Sequence, residues 1–583
     1  MSGPVRLPPV VAQPGPKLLP TLMLILAACS GPIEPTTDAA SLCRSDHTAI
    51  TAVQGGGFGS PLAETMVSVR GFVTHAEPGK GFYLEEQAAA DNASRALFVA
   101  DEALSRTVSS GQEVAVRGRV AELGAGRDTL TSLVEIAEYG VCADDADLPL
   151  THVALPLDSR QREALEGMRL TFDAPLFFTD HYEMFRGEWT LSSDAPLRVP
   201  TEDAAPGNAA AALTQENLER AIGAVLPGPD FPALPVGASV SHVQGVLGRD
   251  GKEQRLLLES TPRAAASDSE PIDPPADDSL RIVSMNLLNY FNGDGRGSGF
   301  PTARGAQNLA DFRAQQERTA AAIARLQPHL LAVQELENDG FGPDSAAQSL
   351  LDLLNGTGFS DWAVVDPAVG RIGGDVITVG LFYRSKVLEP AGPAELLRGP
   401  AFDGLSRVPV AQLFRERSTG SSFLVAVNHL KSKGRCPDDG PNADQGDGQG
   451  CWNRARVEAV SALLPWLDRL AEKSTDRQLL VLGDMNAWRR EDPIRAYRNG
   501  GYIELVEELS GLPQHSFVYF GQRGTLDYAL ASTSLRARAR QATIWHINAD
   551  WPRNMSLPRP WLRMSDHDPV VVDLELSQSA TSD

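Results

Sequence analysis

The sequence is short of several features that would fix a class of protein at once. It has five cysteines in 583 residues, and none of them forms a Cys-X-X-Cys pair or a Cys/His spacing typical of zinc sites. It also has no apolar run long enough to span a bilayer. Acidic residues outnumber basic ones by 75 to 52, and the net charge of -23 argues against tight, nonspecific binding of polyanions.

The negative charge is unevenly spread along the chain. Residues 1–270 carry -16 of it and residues 271–583 carry -7. A bound divalent cation would neutralise part of the remaining charge. The C-terminal half is therefore not excluded from binding anionic ligands.

A short apolar run near the N-terminus predicts an export signal. It extends from Leu18 to Leu26, follows Lys17 and ends at Ala27-Ala28-Cys29. Its length is typical of a signal peptide rather than of a membrane anchor. We predict a lipoprotein signal peptide over residues 1–29.

The residues before Cys29 resemble the bacterial lipobox, in which the cysteine is lipidated and becomes the mature N-terminus. The resemblance implies lipidation of Cys29 and a protein attached to the cell envelope, with the outer membrane favoured by Ser30. A plain secretory signal with an incidental cysteine is the alternative, and it would give an extracellular protein.

The four remaining cysteines predict two disulfides, because an even number is typical of an exported protein. Cys43 and Cys142 flank the first globular segment, and Cys436 and Cys451 bracket a loop. We predict these two pairs, with free buried thiols as the alternative.

The pattern of the chain predicts a multidomain protein with an all-β N-terminal region and a C-terminal α/β region. Residues 48–145 contain short alternating strands typical of a five-stranded barrel of the OB type. Residues 150–262 are best interpreted as a second β-rich module. Residues 263–279 are rich in Pro, Asp, Ser and Ala, as in a linker. In residues 280–577, strands alternate with helices, which predicts a layered α/β domain.

Polar residues follow a series of short apolar runs in this last region. Functional groups at the ends of such strands gather at one rim of a sheet. A lone Asp-His pair would be an ordinary surface feature, but an ordered series predicts a site. In chain order, the clusters are Asn286, Gln334-Glu335, Asn428-His429, Gly483-Asp484-Met485-Asn486, Asp527-Tyr528 and Ser565-Asp566-His567.

This order resembles the endonuclease/exonuclease/phosphatase superfamily, which includes deoxyribonucleases, abasic-site endonucleases, sphingomyelinases and inositol-polyphosphate phosphatases. The resemblance covers residues 280–576, about half of the chain. It implies a four-layered α/β sandwich whose active site lies at one rim of two packed sheets. The N-terminal strands look like the OB-like domain that precedes the nuclease domain in bacterial extracellular nucleases.

The resemblance implies a site for one divalent cation. Glu335 is the main expected ligand of Mg²⁺, a cation that takes one or two carboxylates from a protein. Asn286 and Asp566 are expected to bind or support the same cation. Mn²⁺ and Ca²⁺ are the alternatives to Mg²⁺.

The resemblance also implies the groups that carry out the reaction. Asp484 is expected to orient or deprotonate the attacking water, and Asn486 to hydrogen-bond a phosphate oxygen. His567 is expected to contact the phosphate or transfer a proton, with Asp527 fixing its tautomer.

A second histidine pair completes the implied set. His429 is expected to be a general acid or a phosphate contact, with Asp366 as its carboxylate partner. Arg384 is the expected phosphate ligand. Asn286, Asp366 and Arg384 have an alternative interpretation as turn, cap or surface residues.

Two insertions exceed a compact core of this type, at residues 291–312 and 435–451. We expect them to shape the substrate groove. The second is acidic and rich in glycine, which is typical either of a solvated loop or of a calcium site.

Together these observations predict a divalent-metal-dependent extracellular nuclease that hydrolyses DNA, with RNA as a further substrate, and that acts as a monomer. The alternatives within the superfamily are a phosphatase and a sphingomyelinase-type phosphodiesterase. A catalytically inactive nucleic-acid or surface binding protein is the alternative from another class.

Overall fold

The computed structural model describes residues 39–87, 94–125, 128–144, 147–228, 231–250, 253–265, 271–402, 404–553 and 555–575. The predicted signal peptide and the lipidation site Cys29 lie outside these residues. None of the helices in the described part of the chain has the length and apolar character needed to cross a bilayer.

The N-terminal strands close into a five-stranded barrel with the order β1-β2-β3-β5-β4. Inward-facing apolar side chains such as Val69, Leu84 and Val116 fill it. The Cys43–Cys142 disulfide, which the sequence predicted, joins the segment before the barrel to its last strand. The elements are α1 (Ala39–Leu42), α2 (Ile50–Gln54), β1 (Met66–Glu77), β2 (Gly81–Glu85), β3 (Ala96–Val99), β4 (Glu113–Ala125) and β5 (Asp128–Ala143).

A second module is built on one nine-stranded sheet, in the order β14-β11-β8-β9-β10-β13-β12-β7-β6. Arg263–Ala264, which we assigned to the linker, pairs with β11 at the edge of this sheet. The elements are β6 (Thr151–Val153), α3 (Ser159–Glu163), β7 (Arg169–Phe172), β8 (Leu176–Phe178), β9 (Glu188–Ser192), α4 (Pro200–Asp203), α5 (Asn208–Arg220), β10 (Ala221–Val225), β11 (Ser239–Ser241), β12 (Val243–Asp250), β13 (Glu253–Leu258) and β14 (Arg263–Ala264).

The C-terminal region contains two packed sheets. The first has the order β17-β18-β16-β15-β29-β28, and the second has the order β19-β21-β22-β23-β27-β24, with β20 on β21. The central strands read as continuous apolar runs because both of their faces are covered.

The elements of this region are β15 (Ser279–Tyr290), α6 (Leu309–Leu326), β16 (Leu330–Glu337), α7 (Ala346–Asn355), β17 (Trp362–Val364), β18 (Ile377–Arg384), β19 (Leu388–Pro390), β20 (Glu395–Leu396), β21 (Val410–Glu416), β22 (Ser422–His429), α8 (Asn453–Ala471), β23 (Leu479–Asp484), α9 (Asp492–Asn499), β24 (Ile503–Glu504), α10 (Leu505–Ser510), β25 (Phe517–Tyr519), β26 (Gln522–Gly524), β27 (Asp527–Ala531), α11 (Thr533–Arg536), β28 (Ala539–Ile544) and β29 (Val570–Glu575).

The core of this region lies between the two sheets. Side chains of the first sheet, such as Ile282 and Leu381, share one cluster with Val425 and Leu480 of the second. Helices α6 and α7 cover the outer face of the first sheet, where Ile323 and other apolar residues pack. On the second sheet, α8 belongs to the main cluster through Leu463 and its neighbours. The result is the helix-sheet-sheet-helix arrangement that brings one rim of both sheets together.

Candidate active site

Three of the predicted residues lie side by side on the second sheet. In the parallel pair β22–β23, His429 is opposite Asp484, and in the antiparallel pair β23–β27, Asp484 is opposite Asp527. All three side chains are buried. The strand register therefore builds a row of one imidazole and two carboxylates at the rim.

The first sheet brings four further predicted residues to the same rim. Asn286 on β15 is opposite Gln334 on β16, the residue before Glu335. Strand β29 begins opposite Ser284, so the segment Asp566-His567 just before it returns to this edge.

Glu335 and Asn486 both have left-handed backbones, with φ of 60° and 48°. Such a conformation is unfavourable for residues other than glycine, and it is often found at functional sites. At Glu335 it coincides with a register shift in β16 between Val333 and Leu336. The irregular backbone re-aims the Glu335 side chain into the cleft.

His567 is held by a carboxylate. Its Nδ1 lies 2.7 Å from Oδ2 of Asp527, which also accepts a hydrogen bond of 2.6 Å from the Ser516 hydroxyl. Burial alone would lower the pKa of His567, but Asp527 and then Asp484 raise it well above its usual value. These carboxylates therefore favour the charged form of His567, whose Nε2 faces Asp484 at 3.8 Å.

Asp484 has the opposite character, that of a proton acceptor near neutral pH. Its Oδ1 accepts a hydrogen bond of 2.8 Å from the Asn486 backbone N–H. Burial raises the pKa of Asp484 to about 7, although His567 opposes the change. A carboxylate with such a pKa can take a proton from water and release it again.

His429 is neutral. Its Nε2 lies 3.5 Å from Oδ2 of Asp484. Burial, and next the cation of Arg407, lower its pKa well below the usual value. The two histidines of the site therefore differ in charge.

Glu335 and Asp566 fit a hard divalent cation. Burial, and next the nearby Asp566 carboxylate, raise the pKa of Glu335. This repulsion between two acidic side chains at one rim is relieved when a cation lies between their oxygens. The Asn289 backbone N–H donates to Glu335 at 2.9 Å and orients its carboxylate.

Asn286 supports the site from behind. Its side-chain N–H donates to Asp484 at 3.4 Å, and its oxygen accepts from the Leu288 backbone N–H at 2.9 Å. An amide oxygen has two lone pairs, so Asn286 can orient Asp484 and still offer its oxygen to a cation.

A second set of atoms has the composition of a metal site. Ligand atoms of Asp484, Asp527 and His567 lie within 4.8 Å of one another. Because Asp527 and His567 already share a short hydrogen bond, this cluster is better suited to moving protons than to binding a cation.

These residues open into a cleft of about 920 Å³ with a basic and aromatic lining. Asn286 and Asp527 lie behind it, whereas Glu335, His429, Asp484, Asn486, Asp566 and His567 line it. The basic lining residues are Arg304, Arg407, Lys431, Lys433 and Arg435, and the rings are Trp452, Trp488, Phe517 and Tyr519. Five basic side chains thus line a cleft in a chain that is acidic as a whole, beside the four acidic ones Glu335, Asp375, Asp484 and Asp566.

The two insertions contribute to this lining, as the sequence predicted. Arg304 lies in the first and Arg435 in the second. The predicted Cys436–Cys451 disulfide closes the second insertion. Its Asp444 and Asp447 accept hydrogen bonds from the loop itself, as in a solvated loop.

Arg407 was missed by sequence reasoning. It is buried, its Nε lies 3.2 Å from Asp375, and its backbone N–H donates to the His429 carbonyl. It follows no apolar run, so its sequence carries no signal of a site.

The prediction for Arg384 was wrong. Its Nε donates to Asp361 at 2.7 Å, and its guanidinium lies 3.7 Å from the Phe359 ring centroid. Strand β18 runs antiparallel to β16, so its last residue lies beside the start of β16, at the opposite end from Glu335. Arg384 is therefore a structural partner far along the sheet from the rim.

The predicted pair of Asp366 with His429 is not formed. Asp366 is exposed, and its Oδ1 accepts a hydrogen bond of 2.8 Å from the Ala368 backbone N–H. The Nδ1 atom of His429 is buried without a hydrogen-bond partner among the described residues. Asp366 is thus a turn residue.

The second module places a carboxylate beside the candidate site. Glu202 on α4 is fully buried and accepts hydrogen bonds from the Arg489 side chain at 3.0 Å and from the Thr525 backbone N–H at 3.1 Å. Thr525 is two residues before Asp527, and Arg489 is five residues after Asp484. Glu202 therefore ties together the two segments that carry these aspartates.

The C-terminal region is similar to a known protein family. Residues 289–567 match the profile of the endonuclease/exonuclease/phosphatase family. No curated protein matches the chain significantly.

Several solved structures match about half of this chain. The human Nocturnin catalytic domain is 19% identical, covers 51% of this chain and 93% of its own, and has a TM-score of 0.33. A mannosyl-6-phosphatase from Bacteroides thetaiotaomicron is 16% identical, with 51% and 99% covered and a TM-score of 0.35. TDP2 from D. rerio, complexed with single strand DNA product, is 13% identical, with 51% and 99% covered and a TM-score of 0.32. By the profile match, residues 289–567 of this chain are a domain of the endonuclease/exonuclease/phosphatase family of hydrolases.

Proposed function

We propose that the chain is a divalent-metal-dependent extracellular nuclease that hydrolyses the phosphodiester bonds of DNA, with RNA as a further substrate. The observation that carries this proposal is the cleft, which basic and aromatic side chains line together with His567 and Asp484. The carboxylates of Glu335 and Asp566 lie in the same cleft. The basic side chains attract the phosphates of a nucleic acid, and the aromatic rings stack on its nucleobases.

The site residues divide the reaction between them. Asp484 accepts the proton of the attacking water, as its raised pKa allows. The His567 imidazolium stabilises the charge that develops on the phosphate and can give its proton to the leaving oxygen. Asp527 keeps that imidazole in the required orientation.

Other side chains bind and orient the substrate. Asn486 lines the cleft where its side chain can reach a phosphate oxygen, although its amide N–H now donates to the Leu430 carbonyl. Arg407 replaces Arg384 as the proposed arginine contact to phosphate. A cation bound by Glu335 and Asp566, Mg²⁺ in our proposal, would polarise the phosphoryl oxygens and compensate their charge.

A substrate panel tests the proposal. Purified full chain with Mg²⁺ is incubated with plasmid DNA, RNA, a phosphomonoester and sphingomyelin, and products are separated and quantified. We expect cleavage of DNA at a rate at least tenfold above that of the two other phosphoesters. Turnover of only the phosphomonoester or sphingomyelin would replace the nuclease by one of the alternative activities.

We also propose that the N-terminal barrel is OB-like and that the protein is a monomer on a lipid anchor. The strand order β1-β2-β3-β5-β4 supports the first, and the motif ending at Cys29 supports the anchor. Mass spectrometry of the protein from its host tests the anchor, because an unmodified N-terminus would leave a soluble exported enzyme. Light scattering of the delipidated protein tests the monomer.

A further inference from the structure

Exposed aromatic side chains are concentrated at one place on the surface. The large hydrophobic residues that are exposed in the described part of the chain include four aromatic ones, Tyr182, Phe185, Tyr519 and Phe520, with exposed fractions of 64, 61, 42 and 54%. Tyr182 and Phe185 belong to the second module, whereas Tyr519 and Phe520 lie at the tip of the hairpin β25–β26.

These rings continue a series that starts inside the catalytic cleft. The centroids of Trp488 and Tyr519 are 6.2 Å apart, those of Tyr519 and Phe520 are 4.7 Å apart, and those of Phe520 and Tyr182 are 6.1 Å apart. We call Trp488, Tyr519, Phe520 and Tyr182 the aromatic track. It extends from the active site to the second module.

A shallow groove of about 180 Å³ accompanies the outer part of the track. Phe517, Tyr519 and Asp566 line both this groove and the catalytic cleft, so the two are adjacent. A ligand that leaves the cleft on this side would therefore run directly over the exposed rings.

The two loops that carry the track are fixed to each other. Gly521 at the hairpin tip lies so close to the second module that an added Cβ would be 2.9 Å from the Cβ of Asp180. His181, next to Tyr182, bonds through Nε2 to the Ala549 carbonyl at 2.8 Å. The backbone segments that carry the rings are thus anchored at these two points.

Most charges around the track are paired, apart from Arg563, which lines the groove and donates to the Asn548 carbonyl at 2.7 Å. Arg553 borders the groove but is paired with Asp566 at 3.0 Å. Arg186 is paired with Glu183 at 3.1 Å, and Asp180 lies nearby. Such neighbours disfavour an anionic membrane surface, whereas flat exposed rings beside a phosphodiester site fit nucleobases.

We propose that the aromatic track binds the unpaired bases of a single-stranded nucleic acid next to the phosphate held in the cleft. The proposal rests on the proposed nuclease function and adds a preference for strand type to it. In a duplex the base faces are covered by their neighbours, so only a single strand can stack on the track.

Full-length variants test this proposal with one sequence offered both as a single-stranded oligonucleotide and as its duplex. Tyr182 and Phe520 are changed together to Ala, since neither lines the catalytic cleft. We expect the KM for the single strand to rise about tenfold, with kcat and the duplex KM unchanged within about twofold. Leu218→Ala, an equally exposed change in the same module, and the conservative Tyr182→Phe should both behave as the unmodified chain.

Binding of the single strand in EDTA, followed by fluorescence anisotropy, separates this proposal from the nuclease proposal. Weaker binding by the double variant alone supports the track even if the chain cleaves no nucleic acid. Unchanged binding and KM in the double variant would overturn it, as would equal losses on single strand and duplex. Loss of self-association or vesicle binding with intact single-strand binding would also overturn it.

Discussion

At the scale of single residues, the two histidines of the site differ in charge because their surroundings differ. His567 shares a hydrogen bond of 2.7 Å with Asp527, and this carboxylate keeps the imidazole charged. His429 is buried beside Arg407 and stays neutral. The difference comes from their neighbours, since both imidazoles are buried at the same rim.

Replacing Asp527 by Asn should make the alkaline loss of activity begin at a lower pH. The pKa of His567 is raised mainly by Asp527, so the charged form persists above neutral pH and is lost as pH rises through that pKa. Without the carboxylate, the alkaline limb of kcat/KM should move down by about one pH unit or more, and the rate should fall by about 10²-fold or more.

The exposed pair His152–Asp173 provides a control, with a contact of 2.9 Å between Nδ1 and the carboxylate but no link to the cleft. Asp173→Asn should leave the pH profile unchanged. An alkaline limb that stays in place in Asp527→Asn would contradict the assigned role of Asp527.

Replacing Arg384 by Gln should affect stability rather than chemistry. The change leaves Asp361, whose side chain is only 6% exposed, without its cationic partner. We expect a loss of about 3–5 kcal/mol in the free energy of unfolding, measured with urea, and a normal rate for the folded fraction. Arg407→Gln should instead lower the rate of the folded protein, because Arg407 lines the cleft. A large rate loss in folded Arg384→Gln would restore Arg384 as a phosphate ligand.

At the scale of secondary-structure elements, the ends of strands decided which predictions were correct. His429, Asp484 and Glu335 follow apolar runs whose strands end at the common rim. The apolar pattern of the sequence was therefore enough to predict that they lie together. Arg384 also follows such a run, but β18 points the other way. Strand direction depends on long-range pairing, and no local pattern encodes it.

The contribution of the second module was also beyond sequence reasoning. Helix α4 is four residues long and carries no motif, yet its Glu202 bonds to Arg489 and Thr525 beside the catalytic aspartates. A buried ion pair between distant segments leaves no trace in composition or spacing. Composition indicates where the modules begin and end, but it does not show that one module contacts the site of the other.

Adjacent residues on α4 allow a direct test of this connection. Glu202→Ala removes a fully buried partner of Arg489, and we expect a loss of stability of up to about 3–5 kcal/mol together with reduced cleavage. Asp203→Ala removes only a surface ion pair with Arg198 and should cost less than about 1 kcal/mol. Thermal unfolding of the full chain measures both, and equal effects would contradict the role of Glu202.

At the scale of the whole molecule, a chain with a net charge of -23 places five basic side chains around one cleft. The surrounding negative charge limits nonspecific binding of nucleic acid, while the local cations attract phosphates to the site. Substrate binding should therefore be sensitive to salt although the protein is acidic.

Arg435, an exposed residue of the second insertion, should contribute to this salt dependence. If it contacts one phosphate, Arg435→Gln should lower the slope of log Kd against log salt by about 1, measured with DNA in EDTA. Arg454→Gln is the control, because Arg454 is equally exposed but pairs with Glu458 outside the cleft. Equal slopes for both variants would place the DNA elsewhere.

The central claim, a metal-dependent phosphodiesterase site built on His567 and Asp484, is tested most directly with supercoiled plasmid. The full chain is compared with His567→Ala and Asp484→Asn, each with Mg²⁺ and with EDTA. We predict nicked and linear DNA only for the unmodified chain with Mg²⁺, with rates at least about 10²-fold lower in both variants. Undiminished cleavage by the folded variants, or intact plasmid in every reaction, would contradict it.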